Sequence, residues 1–139
     1  MIYGYVSVLN NSAKEVKSMI EDYANNHHYK LDDLIEDRKQ NNSNWKTRDI
    51  YNLLKHKAQP GDELIVYEAT NIARSKTGII DVMQLLIERD ITLHFVKYNR
   101  KFKPAVHIDE HEFIEIIQMI DSDFYAREAY EKLCKTASD

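Results

Sequence analysis

The chain has 139 residues, 43% of them hydrophobic and 30% charged, a length that buries roughly 68% of its unfolded surface around one core and leaves no room for a second domain. Its formal net charge of -4 and pI near 5.9 exclude a global attraction to nucleic acid or to an anionic membrane, so any such contact has to come from a local patch. The single cysteine, Cys134, excludes an internal disulfide. With no zinc-type Cys/His spacing, no basic leader and no run approaching ~18 apolar residues, a cytoplasmic protein without metal, cofactor or membrane span is expected.

In chain order, "IYGYVSV" (2–8) is β-branched and aromatic and reads as a first strand. The helix that follows places Val16, Met19, Ile20 and Tyr23 at helical spacing, with Asn11 or Ser12 as N-cap and Glu15 at the capping-box offset from Ser12. A second strand is expected from Leu31 to Ile35, and the polar loop "KQNNSNWKT" has no periodicity. "TRDIYNLLKHKA" (47–58) returns to helical spacing through Ile50, Leu53 and Leu54 until Pro60, Gly61 and Asp62 stop it. "ELIVYEA" (63–69) is a third strand, residues 77–89 an amphipathic helix, and "ITLHFVK" (91–97) a fourth strand.

This alternation predicts a three-layer α/β fold: a mainly parallel sheet of four to five strands, helices on both faces, and right-handed crossovers. Functional residues are then expected beyond the C-terminal ends of the strands, in 7–12, 36–48, 68–76 and 97–103. The last segment carries Phe113, Ile116, Ile117, Ile120 and Phe124 along one stripe. A helix of about 25 residues would span nearly 40 Å, more than this core requires. Residues 1–105 therefore read as the α/β unit, and 106–139 as a long helix that mediates oligomerisation.

Three glycines, at 4, 61 and 78, are too few and too scattered for a phosphate-cradling loop. His107 and His111 have the spacing of a metal-ligating pair on a helix, but the helix is expected to begin near Asp109, which leaves His107 outside it and favours a solvated face. His27 and His28 read as ordinary surface histidines. The run "KYNRKFK" (97–103) brings Lys97, Arg100, Lys101 and Lys103 together with Tyr98 and Phe102. It is either a solvated loop or a place where phosphates are held and bases stacked.

The order "GYVSV", "TRDIYNLL", "PGDELIV", "EATNIARS", an amphipathic helix and "ITLHFV" resembles the N-terminal catalytic domain of serine recombinases, the resolvase/invertase family. In that family the first strand ends G-Y-x-R-V-S, an arginine precedes the second helix, and G-D with three apolar residues leads to L-D-R-L-x-R-S. The resemblance covers about residues 1–100 and, more loosely, the long helix. It implies that Leu9 stands at the position of the nucleophilic serine and Ser7 at that of the first catalytic arginine. It further implies that Thr70 and Asn71 replace an aspartate and an arginine, that Arg48, Arg74 and Ser75 are retained, and that Arg127 corresponds to the arginine of the long helix.

Joining a serine oxygen to a DNA phosphate requires a nucleophile held in line and guanidinium groups that neutralise the developing charge. A leucine supplies no nucleophilic atom. The resemblance with these substitutions implies a recombinase-like protein that has lost strand cleavage and acts as a DNA-associated or recombinase-associated regulator. The alternatives are an active recombinase with a relocated serine, Ser7 or Ser12, and a protein-binding α/β module without DNA function. Family members of the small type carry a helix-turn-helix segment after the long helix, and none is read before Asp139. DNA contact by this chain alone is then expected to be weak, through Arg48, Arg74 and the 97–103 run, with dimerisation or association with an active relative through the long helix.

Overall fold

A computed structural model describes residues 1–7, 13–38, 46, 49–73, 75–103 and 110–138. A five-stranded sheet in the order β2-β1-β3-β4-β5 organises them, with β1 at Ile2–Ser7, β2 at Asp33–Asp37, β3 at Glu63–Val66, β4 at Thr92–Phe95 and β5 at Arg100–Phe102. The first four are parallel, and β5 turns back antiparallel on β4. The expected α/β class is observed, with one strand that the sequence hid inside its basic run.

Alternation along the strands sorts side chains between two cores. Tyr3, Tyr5, Leu64, Val66, Leu93 and Phe95 face the larger one. It is closed by a short α2 (Asp49–Asn52), by α3 (Lys76–Arg89) and by α4 (Glu110–Ser138). Val6 and Ile65 face the smaller one beneath α1 (Ala13–Asn26), where Val16, Ile20, Tyr23 and Ala24 are buried. The N-cap expected at Asn11 or Ser12 lies outside the described residues.

Gly4 leaves room for the Leu34 side chain of β2 and for Ile20 of α1, because a Cβ there would lie 2.6 Å from Leu34 Cδ1 and 3.1 Å from Ile20 Cγ2. Overpacking of this kind costs about 1–3 kcal/mol. Gly4→Val is expected to lower stability by that amount, measured as a shift of the urea midpoint at constant slope.

Strand β2 begins two residues later than its apolar pattern suggests. Pairing with β1 sets its frame, from Tyr3 opposite Asp33 to Ser7 opposite Asp37. Asp32 stays outside, its carboxylate accepting the Ile2 N–H at 2.7 Å. The expected helix at 47–58 becomes one α-helical turn followed by a π-helical turn over Leu53–Lys57. The Ala58 N–H closes that turn on the Leu53 carbonyl at 2.7 Å, and the wider turn buries both Leu53 and Leu54. Helix α3 starts where Ser75 Oγ accepts the Gly78 N–H at 3.1 Å and ends at Asp90 in the left-handed region.

In the smaller core, His94 is fully buried and bonded on both ring nitrogens. Nδ1 meets Tyr23 Oη at 2.9 Å and Nε2 meets Glu63 Oε1 at 2.7 Å. Burial pushes the imidazole below its ordinary pKa against the opposing pull of Glu63. His27 is less ordinary than its place in a polar turn suggested, since its ring stacks on Tyr29 and its Nε2 meets Asn99 Oδ1 at 3.0 Å.

Helix α4 has 29 residues, about 43 Å at 1.5 Å per residue. Ile116, Ile120 and Phe124 of its expected oligomerisation stripe are buried in this chain's own larger core. Ile117 is half-buried, and the side chain of Phe113 lies outside the described residues. The stripe serves internal packing first. Beyond it, Ile114, Tyr125 and Leu133 are exposed.

Candidate functional site at the strand ends

The C-terminal ends of β1 to β4 meet at one edge of the sheet, the place where parallel α/β folds build sites. Ser7 ends β1 and lies in register with Asp37, which ends β2. Both are buried, Ser7 at 2% exposure and Asp37 at 0%. Asp37 Oδ2 accepts the Tyr5 hydroxyl at 2.6 Å and the Asp49 N–H at 3.0 Å. A buried carboxylate thus joins β1, β2 and the first turn of α2, and two donors determine which way its oxygens point.

After β3 the chain enters a 3₁₀ turn over Ala69–Asn71. Glu68 and Asn71 form a reciprocal capping box. The Asn71 Oδ1 accepts the Glu68 N–H at 3.1 Å, and the Thr70 hydroxyl donates to Glu68 Oε1 at 2.7 Å. Thr70 Oγ1 and Asn71 Oδ1 are therefore engaged within the turn.

The end of β4 is tied to this turn through α4. Lys97 Nζ lies 3.0 Å from Glu68 Oε2 and 2.8 Å from Asp123 Oδ1. Asp123, 2% exposed, also accepts the Tyr98 hydroxyl at 2.5 Å and the Ala69 N–H at 3.2 Å. Burial pulls the Lys97 ammonium pKa down, but bonds to Asp123 and Glu68 more than reverse it and hold it above the ordinary lysine range. Burial and the bond to Asp123 push the Tyr98 hydroxyl upward too.

Of the residues singled out in the sequence, the structure places Ser7 at the end of β1, Thr70 and Asn71 in the turn after β3, and Lys97 in the turn after β4. Leu9, Ser12, Arg48, Arg74 and His107 lie outside the described residues, as does the side chain of Arg127. The basic run divides: Lys97 is held by two carboxylates, Arg100 is paired with Glu115 at 2.5 Å, and Phe102 is core at 1% exposure. Lys101 and Lys103 are exposed. Among the described residues no three metal-ligating side chains cluster, and His111 is exposed on α4.

Sequence reasoning missed Asp37, Glu68 and Asp123, and read Tyr98 as a stacking residue where its hydroxyl bonds Asp123. Asp37 left one signal, a carboxylate closing a strand where a site is expected; Asp123 left another, an acid one residue before Phe124 on an apolar stripe. Their partners lie 32, 26 and 25 residues away, beyond the reach of local pattern.

The chain matches the family model "Resolvase, N terminal domain" over residues 2–133. Solved structures similar to it include a resolvase family site-specific recombinase from Streptococcus pneumoniae, 13% identical with TM-score 0.59, covering 99% of this chain and 98% of that one. The N-terminal catalytic domain of TP901-1 integrase is 14% identical with TM-score 0.63, covering 92% and 97%. The C-terminal catalytic domain of ISC1926 TnpA, an IS607-like serine recombinase, is 11% identical with TM-score 0.56, covering 99% of both chains. These likenesses show the shared fold. No curated protein matches the chain, and no helix among the described residues is long and apolar enough to cross a membrane. The family model spans nearly the whole chain, over the strand ends just described, and on that ground the protein belongs to the resolvase family of serine recombinases as a recombinase-like N-terminal domain.

Proposed function

We propose that this domain no longer cleaves DNA and acts as a DNA-associated or recombinase-associated regulator. One observation carries the reading. Where the family resemblance places an aspartate and an arginine, Thr70 and Asn71 are bound into a turn by Glu68. The nearby ammonium of Lys97 is neutralised by Glu68 and Asp123. A phosphoryl-transfer site needs cations free to meet phosphate oxygens, and this turn offers an uncharged amide and a hydroxyl. Leu9 at the nucleophile position agrees with it. Ser7, at 2% exposure, is poorly placed to replace the lost serine.

DNA contact then falls to Arg48 and Arg74, with Lys101 and Lys103 and, when it leaves Glu115, Arg100. Partner contact falls to the exposed Ile114, Tyr125 and Leu133 of α4, which suit a second copy of the chain or an active relative.

Supercoiled plasmid incubated with the protein, stopped with detergent and run beside an active relative, is expected to show neither nicks nor protein attached to DNA ends. An adduct lost in Ser7→Ala or Ser12→Ala would overturn the reading and identify a relocated nucleophile. Separately, Arg100→Glu with Lys101→Glu is expected to reduce weak DNA binding at least tenfold and flatten its salt dependence by about two phosphate contacts. Fluorescence anisotropy over a salt series reads both, and unchanged affinity would remove the patch from the interface.

A further inference from the structure

We propose that Asp123 occupies a latent phosphate-binding cradle, formed by Lys97 Nζ, Tyr98 Oη and the Ala69 N–H, and that helix α4 keeps it closed. Three donors from two separate turns converge on one carboxylate, at 2.8, 2.5 and 3.2 Å. They stand beyond the ends of β3 and β4, an ammonium and a hydroxyl on Oδ1 and a backbone amide on Oδ2 of the same carboxylate. That is a donor set suited to a phosphate, whose oxygens accept hydrogen bonds as carboxylate oxygens do.

Placement of the anion is equally informative. Asp123 is 2% exposed on the helix face that carries Ile120 and Phe124 into the core, where a charged residue is tolerated only if it is fully bonded. It acts as a built-in anion that leaves with α4. Withdrawal of that helix would present the three donors to solvent. Lys97 would then keep one carboxylate, Glu68 at 3.0 Å, which moderates the affinity of the opened cradle. The proposal deepens the DNA-associated reading and rests on it only for the source of the phosphate, a nucleic-acid backbone.

The full chain with Asp123→Ala tests it, with circular dichroism to establish folding and Asp123→Asn as the variant that keeps the volume and an acceptor oxygen while removing the charge. Two probes are used: inorganic phosphate, read by thermal shift, and a short DNA duplex, read by anisotropy over a salt series. Asp123→Ala removes both the built-in anion and the polar bonds that hold α4 over the two turns, so it is expected to bind duplex roughly tenfold tighter than the parent, with one more phosphate contact in its salt dependence. Phosphate should stabilise this variant and not the parent; Asp123→Asn should show a smaller gain, and adding Lys97→Ala should erase it.

No gain with either probe, in whichever of the two variants folds, would overturn the cradle while leaving any DNA binding through Lys101 intact. A gain with phosphate alone would support the cradle and remove nucleic acid as its source.

Discussion

Asp37→Ala is expected to destabilise the protein by about 4 kcal/mol, because each buried donor left without a partner costs about 1–3 kcal/mol. Two such donors converge on Asp37 Oδ2, the Tyr5 hydroxyl at 2.6 Å and the Asp49 N–H at 3.0 Å. Alanine leaves both unmet at the junction of β1, β2 and α2. Asp37→Asn can place its amide oxygen where Oδ2 stands and keep these two bonds, so its loss should be clearly smaller. Tyr5→Phe removes one donor and leaves none orphaned, an effect of about 1 kcal/mol. Urea unfolding of the three variants checks the order. Equal losses for Asp37→Ala and Tyr5→Phe would mean that the carboxylate does not hold the strand ends together. Against a typical total of about 5–15 kcal/mol, the alanine variant should be marginal at 37 °C.

Acidification is expected to weaken the protein through His94. Its imidazole is fully buried, takes Tyr23 on Nδ1 and Glu63 on Nε2, and has its pKa lowered chiefly by burial. The folded state therefore favours the neutral ring, whereas the unfolded ring titrates near ~6.5. This contribution is fully present above that value. It is lost as the pH falls through it toward the lower folded pKa, at a slope of no more than about 1.4 kcal/mol per pH unit for one proton. Tyr23, Tyr29, His27, Glu63 and Lys101 are the titratable groups around the ring; of these Glu63 and Lys101 act in opposite directions.

His94→Ala removes the titration and also opens a cavity and leaves the Tyr23 hydroxyl without its partner. We expect a cost of about 3 kcal/mol at pH 7.5. Urea midpoints between pH 5 and 8 should fall more steeply with acid in the parent than in the variant. Parallel curves would show that His94 carries no share of the acid sensitivity.

The two variants probe different parts of one sheet. At the strand ends Asp37 ties β1, β2 and α2 together, and Asp123 separately ties the turns after β3 and β4 to α4. Beneath α1 one histidine replaces apolar packing between helix and strand.

Much of the architecture was legible in the residues alone. Strands β1, β3 and β4 are short β-branched runs bounded by turn residues, and α3 and α4 carry apolar residues at helical spacing. These are local signals, set by side-chain periodicity and by glycine and proline. They determined the α/β class, and the order of the motifs pointed to the family.

Tertiary structure decided what depends on distant partners. The frame of β2 follows its pairing with β1, which moved the strand two residues from its own apolar pattern. Phe102 became core because Arg100–Phe102 pairs with β4, so a run rich in cations was also an edge strand. Lys97, read as a phosphate contact, lies between Glu68 and Asp123, and Ile116, Ile120 and Phe124 turn inward. Sequence specifies which groups are charged and which faces are apolar. Whether a charge meets solvent or a buried carboxylate 26 residues away is settled only when desolvation, pairing and the sheet's register are satisfied together.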